Sequence, residues 1–178
     1  MTRAGTEHKR IRQRCEAAVR SLDVPVPFDV GTFCELLGEQ RGRPIRLTAI
    51  NSPVDPCGVW LDTESGDWIF YERGTSWPHQ KHIILHEISH LICDHRGSGD
   101  LDDERFRVLF PDLDVGVIHS RMDRSSYTDE QEQEAELLAT LILERAERGT
   151  PEPRSVAPPA IATILDRLEA TLGEPGAA

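Results

Sequence analysis

Apolar residues recur at helical spacing in the middle of the chain, between residues 80 and 94. The stripe consists of Ile84, Leu85, Ile88, Leu91 and Ile92. No Gly or Pro interrupts this stretch, and Pro78 stands where a helix can begin. The pattern therefore predicts a helix with a buried stripe.

Helical patterns also occur on either side of this central stretch. The predicted helices are residues 6–20, residues 130–148, residues 160–172 and a segment that ends near residues 38–42. Asp29 is placed to cap the last of these, and Thr128 or Asp129 to cap the helix at 130–148, because their side chains can accept hydrogen bonds from the first turn.

Three short segments have the pattern of strands. Residues 44–50 alternate between apolar and polar positions, and residues 58–62 and 67–71 are two more short strands. Turn-forming residues at 63–66 predict a hairpin between the second and third strands. Together these patterns predict an α+β fold in which a small three-stranded sheet packs against the central helix and flanking helices.

The remaining segments carry little regular pattern. Residues 101–129 give no single prediction, residues 151–159 are Pro-rich, and residues 173–178 are expected to be disordered. We therefore expect one compact domain at residues 1–149. Residues 150–178 are expected to form a Pro-rich linker and a short C-terminal helix.

Length and charge narrow the class of protein. A chain of 178 residues is expected to form one compact domain with tails. Its net charge of −11 argues against a nucleic-acid binder, and no apolar run approaches the length of a membrane span. The helix at 6–20 is basic, but no aromatic residues interleave with its charges. This favours a solvated helix face over a binding surface for nucleic acid or an acidic partner.

The cysteines and the N-terminus indicate the compartment. Cys15, Cys34, Cys57 and Cys93 are spread out with no C-x-x-C pair, and residues 1–20 contain no apolar core of a secretion signal. We therefore expect reduced thiols in a cytoplasmic protein.

The central helix carries the sequence H-E-I-S-H at residues 86–90, which has the form H-E-x-x-H. Residues four apart lie on one face of a helix, so His86 and His90 can direct ring nitrogens at one ion. Glu87 is rotated about 100° from His86, close enough to act on water at the metal without being a ligand. The pattern is typical of a metallohydrolase, and the alternative is a chance match of surface or core histidines.

A working zinc site needs a third protein ligand. The extended pattern H-E-x-x-H-x-x-G-x-x-H is excluded, because Cys93 and Arg96 stand at its Gly and third His positions. The remaining source is a carboxylate from a separate helix, and the helix at 130–148 is rich in glutamate.

The apolar stripe of that helix selects among its glutamates. Its large apolar residues are Leu137, Leu138, Leu141 and Ile142. They centre within about 20° of Glu134 on a helical wheel. A carboxylate inside an apolar stripe is costly unless it is paired or bound to a metal, so Glu134 is the predicted third ligand. Glu130 is the second choice, and Glu132 and Glu136 are expected on the solvated face.

Other residues have weaker claims on the site. His82 is expected to line the cleft, Cys93 to pack in the core, and His95 to cap the helix or face solvent. His119 and Tyr127 are candidate donors to an oxyanion.

These residues together resemble the ImmA/IrrE family of zinc metallopeptidase-like regulatory proteins. The first motif is the helix at residues 82–92, extending to His95. The second, E-Q-E-A-E-L-L-A-T-L-I at residues 132–142, is similar to the family's E-x-E-A-N-x-F-A-A-x-L-L. The resemblance covers roughly residues 5–148, and Glu136, Leu138 and Thr140 depart from the family pattern.

The resemblance implies a compact zinc-peptidase core in which His86, His90 and Glu134 bind Zn²⁺ and Glu87 is the general base. It implies a zinc-dependent metallo-endopeptidase acting on a cytosolic regulatory protein such as a helix-turn-helix repressor. The alternative is a catalytically weak or inactive binding module on the same fold. Direct DNA binding through the basic first helix is a third and less favoured hypothesis.

Overall fold

A computed structural model describes residues 3–51, 58–95, 118–121 and 127–149, with only the backbone described at residues 3, 4 and 118–121. Its elements, in chain order, are α1 (Arg3–Ser21), α2 (Val30–Arg41), β1 (Ile45–Ile50), β2 (Gly58–Thr63), β3 (Gly66–Glu72), α3 (Trp77–Ile92), β4 (Ile118–Arg121) and α4 (Asp129–Gly149). The predicted α+β class is confirmed. The predicted linker at 151–159, helix at 160–172 and tail at 173–178 lie outside the described residues.

The helix ends follow from local side-chain chemistry. The Asp29 side chain accepts a hydrogen bond from the Thr32 backbone amide at 2.8 Å, and Gly42 ends α2 in the left-handed region with φ 68°. Of the two predicted caps for α4, Thr128 makes the bonds. Its hydroxyl accepts from the Gln131 amide at 3.2 Å, and the Gln131 side chain accepts from the Thr128 amide at 2.9 Å.

The three predicted strands form a mixed sheet in the order β1-β3-β2, and β4 adds a short strand beside β2. β1 and β3 are parallel, while the predicted hairpin joins β2 and β3 as antiparallel neighbours. Gly66 opens β3 with φ 131°, where an added Cβ would lie 2.5 Å from the Pro44 carbonyl oxygen. The strand β4 was not predicted, because four residues without clear alternation carry no recognisable pattern.

The helix α3 lies at the centre of the described fold, against β2 and β3 on one side and α4 on another. The predicted stripe is buried except at Ile92, which is partly buried. Burial is not confined to the stripe, since every residue from 83 to 91 is buried. His86, Glu87 and His90 are therefore inside the protein. Buried polar groups require hydrogen-bonding or ionic partners, so their surroundings decide what they do.

The helix α1 packs on α4. Arg10 and Arg12 pair with glutamates of their own helix, as expected of a solvated face. Arg14 instead reaches α4, as described below. The described cysteines, Cys15, Cys34 and Cys93, are free thiols. Within the described ranges, no helix has the length and apolar character needed to cross a bilayer.

Candidate metal centre

His86 and His90 direct their ring nitrogens at each other from successive turns of α3. Their Nε2 atoms are 3.0 Å apart, and the side chains of both are buried. The arrangement is the one that the H-E-x-x-H spacing predicts for two ligands on one helix face.

Glu132 of α4 places a carboxylate beside this pair. Its Oε2 lies 3.2 Å from His86 Nε2 and 3.9 Å from His90 Nε2. Ligand atoms about 2.0–2.1 Å from a tetrahedral zinc ion are roughly 3.3 Å from one another. The distance to His86 Nε2 is close to this value and the distance to His90 Nε2 is longer, and the three atoms are close enough together to hold one ion. The expectation that Glu132 points into solvent is wrong, since only 34% of its side chain is exposed.

The predicted third ligand, Glu134, faces a different helix. Arg14 Nε and an Arg14 terminal nitrogen donate to its two carboxylate oxygens, both at 2.8 Å. Glu130, the second choice, is 3.7 Å from the same arginine. The structure therefore brings Glu132, and not Glu134 or Glu130, together with the two histidines.

The alanines of α4 explain this difference. Its buried apolar residues include Ala135, Ala139 and Ala146 as well as the large residues. With the alanines counted, the buried stripe centres roughly midway between Glu132 and Glu134, about 80° from each at 100° per residue. The two carboxylates thus lie on opposite flanks of the stripe, Glu132 beside α3 and Glu134 beside α1.

His95 lies between His90 of α3 and Glu134 of α4 and contacts both. It was expected to cap α3 or face solvent, but it is buried, with its Nδ1 3.0 Å from His90 Nδ1. Its Nε2 lies 3.4 Å from Glu134 Oε2. Burial lowers the pKa of His95, which keeps the ring neutral near pH 7. Burial alone would raise the pKa of Glu134, but the hydrogen bonds and charge of Arg14, with help from His95, hold it below its ordinary value.

Cys93, His95 and Glu134 form a second group whose potential ligand atoms all lie within 4.8 Å of one another. It suits a cation poorly. Arg14 already neutralises the carboxylate of Glu134, and burial raises the pKa of the Cys93 thiol to about 12, which disfavours the thiolate that a metal needs.

Glu87 is buried against the first residue of β2. A Cβ added at Gly58 would lie 2.5 Å from Glu87 Oε1 and 2.7 Å from Ile83 Cγ2. The strand can approach the predicted general base this closely only because residue 58 has no side chain.

We expect Gly58→Ala to displace the Glu87 carboxylate and to overpack the contact between β2 and α3. The expected cost is about 1–3 kcal/mol of unfolding free energy, measured by urea denaturation. Gly31→Ala is the matched control, because a Cβ there meets one side-chain oxygen of Asp29, at 3.2 Å, and no buried group of the described chain. Equal stability of the Gly58→Ala and Gly31→Ala proteins would contradict this close contact.

A cavity of about 580 Å³ opens beside the histidines, lined by His86, Glu132, Gln133, Glu136, Leu137 and Thr140. Glu136 was expected on the solvated face and is half exposed. Its Oε2 lies 3.2 Å from His82 Nε2 and 3.5 Å from His86 Nδ1, so it stands at the cavity beside a histidine that lines it.

The ring of Tyr127 stacks on the ring of His90. The two rings stack with centroids 3.7 Å apart and planes inclined by 12°. Burial, together with the charges of Glu87 and Glu132, raises the pKa of Tyr127, so its hydroxyl stays protonated and can donate a hydrogen bond. His119 lies in β4, and its side chain is outside the described part of the chain.

The structure therefore assembles two histidines and a carboxylate with spacings that suit a metal, beside a buried glutamate and an open cavity. Comparisons of the chain with protein-family models, with curated proteins and with solved structures find no significant match.

Proposed function

We propose that this protein is a zinc-dependent metallo-endopeptidase whose metal ligands are His86, His90 and Glu132. The observation that carries the proposal is the convergence of His86 Nε2, His90 Nε2 and Glu132 Oε2, separated by 3.0, 3.2 and 3.9 Å. Two imidazoles and a carboxylate are a ligand set of catalytic zinc, which keeps a fourth position for water or substrate.

A bound zinc ion would polarise the scissile carbonyl and lower the pKa of water at the site to about 7. Glu87 then accepts a proton from the attacking water and donates it to the leaving amine. Tyr127 supplies a protonated hydroxyl beside His90, which can stabilise charge on the carbonyl oxygen.

The cavity supports a polypeptide as the substrate. It is open, it runs along α4, and it includes the apolar surface of Leu137 as well as the carboxylates of Glu132 and Glu136. With a net charge of −11, the protein favours substrates with basic segments. A DNA-binding regulator such as a helix-turn-helix repressor, the substrate that the resemblance to the ImmA/IrrE family implies, has this character.

Removal of the metal provides the first test. The zinc-loaded full chain is expected to cleave a basic helix-turn-helix repressor, and treatment with a chelator is expected to stop cleavage until zinc is restored. Intact-mass spectrometry identifies the products. Circular dichroism of the chelated protein serves as the control for unfolding. Cleavage at an unchanged rate after complete zinc removal would contradict the proposal.

A further inference from the structure

We infer that Arg14, Glu134 and His95 form a relay that fixes the tautomer of His90, so that the lone pair of His90 Nε2 points toward His86 and Glu132. The inference rests on the proposed metal site for its purpose, but the tautomer itself follows from hydrogen bonds that need no metal. It gives Glu134 a positioning role in place of the ligand role predicted from the sequence.

The direction of hydrogen bonding is fixed at the ion pair between Arg14 and Glu134. Arg14 can only donate, and both oxygens of Glu134 accept from it at 2.8 Å. An ionised carboxylate has no proton to give. At the remaining contact, 3.4 Å from Glu134 Oε2, His95 Nε2 must therefore be the donor.

The donor role of His95 Nε2 then determines which nitrogen of His90 carries its proton. A neutral imidazole carries one N–H, so a His95 ring that donates from Nε2 must accept at Nδ1. The atom opposite, 3.0 Å away, is His90 Nδ1, which must carry the proton. A neutral His90 protonated at Nδ1 has a lone pair at Nε2, the atom that lies 3.0 Å from His86 Nε2.

This tautomer is the one that a metal ligand requires. Histidines that bind metals usually donate their other ring N–H to a carboxylate or a carbonyl, and loss of that partner typically weakens metal binding about 10–100-fold. Here a second histidine stands between the ligand and the carboxylate, and an arginine from the first helix holds the carboxylate. The basic helix α1 is thereby tied to the metal site through Arg14.

The relay also accounts for the second group of potential ligands. Cys93, His95 and Glu134 could hold an ion of their own only if the arginine moved away from the carboxylate. A second metal ion is therefore the rival interpretation of the same residues, and the experiment distinguishes the two.

The first measurement is the tautomer of His90 in the zinc-free full chain. Two-bond ¹H–¹⁵N correlation spectra of the histidine rings are expected to show His90 protonated at Nδ1. In Glu134→Gln, whose neutral amide can itself donate a hydrogen bond, the Nδ1–H form is expected to lose its dominance. A wild-type His90 protonated at Nε2 would overturn the inference, whether or not the chain binds zinc.

The second measurement is zinc affinity, obtained by competition with a chromophoric chelator at pH 7. Glu134→Gln and His95→Ala are each expected to bind zinc about 10–100-fold more weakly, and the double variant no more weakly than the weaker single one. Arg14→Lys is expected to retain part of the affinity lost in Arg14→Gln. Arg12→Gln is the matched control, because the ion-pair partner of Arg12 in the described chain is Glu16 of its own helix, at 2.9 Å.

Unchanged affinity in both single variants would overturn the relay. So would two zinc ions per wild-type chain with one lost in Glu134→Gln, which would assign the second group as a metal site. A wild-type chain that binds no zinc but shows His90 protonated at Nδ1 would refute the proposed function and leave the relay standing.

Discussion

Glu87→Gln is expected to abolish peptide cleavage while zinc binding stays at the wild-type level. Gln has nearly the same shape as Glu but cannot accept the proton of the attacking water. General-base catalysis typically contributes about 10²–10⁴-fold to the rate, and at least this loss in kcat is expected. Glu87 is also absent from the ligand group, so its replacement leaves the three donor atoms in place.

The comparison requires rate and metal content on the same preparations. Glu144→Gln is the matched control, because Glu144 lies on α4 and pairs with Arg148 at 3.1 Å, remote from the ligand group. A Glu87→Gln protein as active as wild type would refute the assigned mechanism. Loss of zinc together with activity would instead show that Glu87 supports the site structurally.

Glu132→Ala and His90→Ala are expected to lose zinc. Each removes one of the three proposed ligands, so the fall in affinity should exceed the roughly 10–100-fold expected from loss of His95, which contacts His90 Nδ1 on the side away from the ligand group. Loss of zinc binding should also change the thermal stability of the folded chain. Zinc at about 100 times its dissociation constant stabilises a folded chain by about 2.7 kcal/mol, so added zinc should raise the wild-type Tm and leave that of Glu132→Ala nearly unchanged.

Two neighbouring glutamates make this test specific. Glu130 also lies near the start of α4, with its carboxylate 3.7 Å from Arg14. Glu130→Ala should therefore retain the zinc-dependent rise in Tm. Glu134→Gln, with its weaker zinc binding, should show a smaller rise than wild type at each zinc concentration, and a rise clearly larger than that of Glu132→Ala. A Glu132→Ala protein that responds to zinc as wild type does would contradict the assigned ligand.

The sequence predicted the elements that local chemistry determines. The central helix is continuous because no Gly or Pro interrupts it between residues 80 and 92, and its apolar residues from 83 to 91 are buried. Asp29 caps α2, and the residues between β2 and β3 make the expected hairpin turn. In each case the signal lies within a few neighbouring residues, so no tertiary information was required.

The glutamate that lies beside the two histidines could not be identified in this way. A wheel that counts only Leu and Ile places Glu134 in the buried stripe. Ala135 and Ala139 are equally buried and turn the stripe toward Glu132. A buried alanine and an exposed alanine look the same in a sequence. The partner of Glu134, Arg14, is 120 positions away, and nothing in the pattern of α1 distinguishes it from Arg10 or Arg12.

The most direct measurement is the position of the metal in crystals of the zinc-loaded full chain, located by anomalous diffraction at the zinc edge. One peak is expected, about 2.0–2.2 Å from His86 Nε2, His90 Nε2 and a carboxylate oxygen of Glu132. Glu134 should remain bound to Arg14 in the same crystals. A peak ligated by Glu134 in place of Glu132, or one beside Cys93 and His95 with the histidine pair empty, would contradict this assignment.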